Sequence, residues 1–145
     1  MKSQTLVYES KSTCEKIKLH NLVDKLMEGL IPEAVNRRSL IINDVNPNIQ
    51  VDTDENVLAF VIVKLLTTVV NHTESNCIHI NASSSGNHTS IQVKDHVSSG
   101  KNNYVYGLGQ VQNLLQKLGG AISVSCSRTM GTIVAFSFNN SLSAA

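Results

Sequence analysis

Asp95 follows the alternating run Ile91-Gln92-Val93-Lys94, which places a carboxylate at the end of a half-buried strand. There it can accept hydrogen bonds from a loop or from a ligand. Further on, Gly107-Leu108-Gly109-Gln110 opens a helical pattern. The backbone N–H groups of a helix start can face an anion, and the same glycines would equally serve a plain turn. Lys64, Thr68 and His72 lie on or at the end of one long helical stretch. Lys64 is either a solvated side chain or a point charge for a phosphate. His72 is favourable as a histidine near the negative helix end, whatever else it touches. The remaining histidines, His20, His79, His88 and His96, have no metal-ligand spacing. Cys14, Cys77 and Cys126 form an odd, scattered set without a CxxC pair, which argues against a disulfide framework or a structural zinc site. No cysteine has a histidine or acid at a suggestive distance, so covalent nucleophilic catalysis is not expected.

These residues need a scaffold, and the chain has the means for one. Its 145 residues are 41% hydrophobic and 16% charged, enough for a single core and too little charge for a disordered tail. A net charge of +1 gives no electrostatic footprint for duplex nucleic acid. With no Trp and 4% aromatics there is no stacking platform for single strands. No apolar run reaches the ~18 residues of a membrane span, and the polar N-terminus lacks a signal-like apolar region. A cytoplasmic protein without membrane or nucleic-acid contacts is expected.

Along the chain, residues 1–14 read as a flexible arm, 15–140 as one domain and 141–145 as a tail. The pattern predicts a strand at 15–20 and a helix over 22–30, capped by Asn21 and ended before Pro32. Strands follow at 39–43 and 49–51. The strongest helix runs from about Asp54, its cap, to Asn71, with Leu58, Val61, Ile62, Leu65, Leu66 and Val69 as a wide apolar stripe. Strands at 77–83 and 90–94 flank a hairpin loop at 84–88. A second strong helix lies within 107–118 and ends at Gly119-Gly120, and strands at 121–127 and 132–138 close the chain. Paired hairpins alternating with single helices argue for an α+β fold: a two-layer α/β sandwich with a mixed, mainly antiparallel sheet and about three helices on one face.

In this order, the stretches Gly107-Leu108-Gly109, Leu118-Gly119-Gly120-Ala121-Ile122-Ser123-Val124 and Met130-Gly131-Thr132-Ile133-Val134-Ala135-Phe136 resemble the C-terminal motifs of a known family. It is the ATP-binding catalytic domain of two-component sensor histidine kinases, within the superfamily that includes the Hsp90 and gyrase ATPases. The resemblance runs from about Lys16 to Asn139. It implies ATP or ADP as ligand, with Asp95 accepting from the adenine amino group. It places His72 beside the adenine, Gly107, Leu108 and Gly109 at the phosphates, Lys64 and Thr68 at the metal, and Thr132 at a water-bridged contact. The plainer reading of Thr132 is a side chain that packs or bonds within its strand.

The resemblance also shows where this chain departs from the family. Thr68 stands where the family has the Asn that ligates Mg²⁺, and Lys64 stands one turn earlier where the family has an acidic or amide residue. Mg²⁺ demands oxygen ligands in near-octahedral geometry, and an ammonium repels it, so this donor set disfavours the metal. After Asp95, Val97 and Ser99 replace two glycines that would let backbone approach the ligand. Residues 96–106 leave only a short lid without Phe. The expected partner is a helical dimerisation and phospho-acceptor domain, or a response regulator. The residues before Lys16 are too few to supply the phospho-accepting hairpin, so an excised domain or a stand-alone derivative is expected. Three readings follow: a degenerate module that works through protein contacts, a working catalytic domain that phosphorylates a His elsewhere, and a serine kinase of the anti-sigma-factor type.

Overall fold

In the computed structural model, which describes residues 16–95, 111–113, 115–116, 119–127 and 131–139, the chain builds two layers over one core. The order is β1 (Lys16–Lys18), α1 (Leu19–Met27), α2 (Ile31–Asn36), β2 (Leu40–Asn43), β3 (Gln50–Asp52), α3 (Glu55–Asn71), β4 (Cys77–Ser85) and β5 (His88–Asp95). A helical stretch at 111–113 and 115–116 precedes β6 (Ala121–Ser127) and β7 (Gly131–Asn139). The main sheet has the order β2-β4-β5-β7-β6. Only β2 and β4 are parallel; the other pairs are antiparallel. β1 and β3 form a separate antiparallel pair.

Period-two alternation decides which face of the sheet is wet. Ile78, Ile80, Ile91, Val93, Val134, Phe136 and Phe138 are buried on the inner face. They meet Leu58, Val61, Ile62, Leu65, Leu66 and Val69 of α3 and Leu19, Leu22, Val23 and Met27 of α1. The Phe136 and Phe138 rings stack 5.9 Å apart between centroids. Asp54 caps α3 as expected, its carboxylate accepting from the N–H groups of Asn56 and Val57.

The expected sandwich is present, with two corrections. Among the described residues there are four helical stretches where about three are expected, the additional one being the short α2. Pro32 sits in the first turn of α2, where its missing N–H costs nothing. α1 also begins earlier than expected: Leu19 is fully buried, Lys18 is the cap position, and Asn21 lies inside the helix without capping it. The expected arm, the tail, the lid at 96–106 and the glycines Gly107 and Gly109 with Leu108 lie outside the described residues.

Candidate functional site

Helical spacing puts Phe60, Lys64, Thr68 and His72 on one flank of α3, four residues apart. Thr68 is buried at 8% exposure, whereas His72 is exposed. His72 occupies the position after the last helical residue, and its Nδ1–H donates to the Thr68 carbonyl at 2.7 Å. The ring thereby satisfies one carbonyl that the helix end leaves without an intrahelical donor. Lys64 leans along the helix toward its start, as helical side chains do, and its Nζ lies 6.0 Å from the centre of the Phe60 ring.

Asp95 closes β5 at 1% exposure, directly opposite Thr132 of β7, which is equally buried. Its Oδ2 lies 2.8 Å from the hydroxyl of Thr73, just past the end of α3. The Thr73 hydroxyl also lies 2.7 Å from the Val69 carbonyl, so one proton has two oxygen acceptors within reach. Burial makes this junction costly to disrupt, since a buried carboxylate needs its donors. The junction binds the C-terminal end of α3 to the C-terminal end of β5.

Arg37 braces the same point from outside. Its Nε donates to the Thr73 carbonyl at 3.0 Å and its Nη2 to the Asn71 carbonyl at 2.8 Å. The Ser75 N–H donates back to the Arg37 carbonyl at 2.9 Å. A guanidinium on the last carbonyls of a helix suits the negative end of its dipole.

The structure therefore gathers Asp95, Thr132 and Thr73 at one end of the sheet and sets Thr68 and His72 on the adjoining helix flank. Lys64 is turned toward Phe60. Thr73 and Arg37 were not singled out as site residues from sequence. The His-Thr pair at the end of a long helix was a usable signal for Thr73. Nothing marked Arg37, whose acceptors lie 34 and 36 positions away.

No protein-family model matches the chain, and no curated protein matches it at a significant level. Solved structures do. The full-length structure of ShkA in complex with AMPPNP superposes with a TM-score of 0.74 and 20% identity, over 87% of this chain and 31% of that one. The catalytic domain of histidine kinase ThkA, in a nucleotide-free form, gives 0.71 at 14% identity over 88% of this chain and 95% of that one. The fold is that of a histidine kinase catalytic domain. The Acinetobacter baumannii histidine kinase AdeS shares it, with a TM-score of 0.73 and 13% identity over 93% of this chain and 72% of that one. ThkA has also been solved in complex with the response regulator protein TrrA, in a chain of which this one covers 42%.

Within the histidine kinase fold, Mg²⁺ can be tested against the residues in place. The resemblance puts it beside positions 64 and 68. An ammonium that lies toward a Phe ring and a threonine at 8% exposure do not fit a cation that takes carboxylate, amide and water oxygens.

Proposed function

We propose that this chain is a histidine-kinase-like ATP-binding domain of a two-component signalling protein with a degenerate nucleotide grip. ATP or ADP binds it weakly or not at all, and the domain acts through protein contacts. The observation that carries this reading is the pair at positions 64 and 68, an ammonium turned along the helix and a buried hydroxyl. Phosphoryl transfer relies on positioning and on metal neutralisation of the phosphate charge, and this pair serves neither. What remains of a nucleotide site would be Asp95 for the base, His72 beside it, Thr132 through a water, and Gly107, Leu108 and Gly109 for the phosphates. Asp95 meets that role with part of its hydrogen-bonding capacity already committed to Thr73.

The partner in this reading is a helical domain carrying a phospho-accepting His, or a response regulator such as the one ThkA binds. Such contacts need only the folded surface. A melting experiment with ATP and ADP, with and without Mg²⁺, tests the proposal. A ligand at 100 times its Kd adds about 2.7 kcal/mol of stability. The expected result is no shift at millimolar nucleotide. A Mg²⁺-dependent shift that disappears in Asp95→Asn overturns the proposal in favour of a working catalytic domain. A Mg²⁺-independent shift lost in Lys64→Ala overturns it in favour of a site where an ammonium replaces the metal.

A further inference from the structure

The outer face of the main sheet carries a polar depression remote in role from the junction at Asp95. Lys94 and Asp95 are successive residues of β5, so they face opposite sides of the sheet. The depression encloses about 270 Å³ and is lined by Asp44, His79, Asn81, Gln92 and Lys94. Register makes the arrangement definite. His79 lies directly opposite Lys94, and Asn81 directly opposite Gln92, on the adjacent strands β4 and β5. Four nitrogen-bearing side chains thus occupy two neighbouring rows of one face, with opposed positions about 5 Å apart at Cβ.

Their donors point to a single kind of guest. The Asn81 Oδ1 accepts from the Ala82 N–H at 2.8 Å, which leaves the amide NH₂ as the outward group. Among the described residues no other side chain engages Gln92 or Lys94. An ammonium beside amide NH₂ donors, with no carboxylate next to it, favours an anion. The only carboxylate of the lining, Asp44, stands on the far side of His79, 2.8 Å from its Nδ1 and one strand farther from Lys94. It fixes the ring orientation without occupying the space beside Lys94. On the other flank, β7 presents Ile133 opposite Lys94 and Ala135 opposite Gln92, neither of which competes for the donors.

We propose that this depression binds one phosphate-type oxyanion, held by the Lys94 ammonium and the amide NH₂ groups of Asn81 and Gln92, with His79 set in place by Asp44. The volume is below the ~300–1,000 Å³ of pockets for drug-sized ligands and suits a single oxyanion with its waters. It is independent of the nucleotide reading above.

The test is a side-chain and backbone NMR titration of the full chain with inorganic phosphate, against chloride at matched ionic strength. The expected result is a saturable shift at the Asn81 and Gln92 NH₂ groups that chloride does not produce. Lys94→Gln removes a charge-assisted donor and should weaken the apparent affinity about tenfold. Gln92→Leu, at an exposed position, should weaken it as well. Linear shifts without saturation overturn the proposal. So does unchanged affinity in both variants, which would place the phosphate elsewhere on the protein. Glycerol 3-phosphate in parallel separates two sources of the group: equal affinity supports a phosphomonoester guest, weaker affinity supports the free ion, and binding of neither overturns the site.

Discussion

Substituting Thr73 by Val should loosen the junction between α3 and β5 without changing the shape of the core. Thr73 is fully buried and Asp95 is 1% exposed, so water cannot readily replace a lost donor. Valine keeps the branched outline and removes only the hydroxyl whose oxygen lies 2.8 Å from Asp95 Oδ2 and 2.7 Å from the Val69 carbonyl. A hydrogen bond to a charged group contributes about 1.5–3 kcal/mol, and the Val69 carbonyl keeps its helical role in either case. A loss of about 2 kcal/mol corresponds to roughly 4–8 °C in Tm for a chain of this size. Thermal and urea unfolding followed by circular dichroism would read it, and Thr73→Ser, which keeps the hydroxyl, should recover most of the loss. The partner is identified by a double-mutant cycle with Asp95→Asn. If the two losses add to within about 0.3–0.5 kcal/mol, the Thr73 proton serves only the Val69 carbonyl, and the linkage of helix end to strand end is refuted.

Other substitutions probe the scaffold that sets this junction. Arg37→Ala removes donors to the Asn71 and Thr73 carbonyls and should cost about 1–2 kcal/mol in urea unfolding, with Arg37→Lys recovering part of it. Asp54→Ala removes the acceptor for two N–H groups at the start of α3 and should cost about 1 kcal/mol. Gly120→Ala should be far more damaging, since a Cβ there would run into the Ser137 carbonyl oxygen of β7, and soluble yield with melting temperature would report it.

Legibility from sequence followed how local each determinant is. α3 was readable almost to the residue because its cap, Asp54, and its apolar stripe lie within the helix itself. The strands from Cys77 onward were readable because alternation and the Gly86 turn are local signals. α2 is not legible because six residues give too little periodicity, and a Pro after an apolar run marks the end of one helix and the start of another equally well. The start of α1 was misplaced because Leu19 fits a strand alternation and a helical stripe equally well, and burial against the core decides for the helix. At the site, Asp95 was legible as a strand-end carboxylate. Its partner Thr73 comes 22 positions earlier on another element, and only the sheet order and the helix direction bring the two together. Arg37 was illegible for the same reason: in sequence it is one polar residue in a turn.

Positions 64 and 68 are tested most directly by calorimetric titration of ATP into the chain, once with excess Mg²⁺ and once with a chelator. The lysine and the buried threonine predict curves that match in the two conditions, with weak heat or none. A Kd at least tenfold tighter with Mg²⁺, a difference of about 1.4 kcal/mol, would contradict the account and show that this chain holds a metal–nucleotide complex.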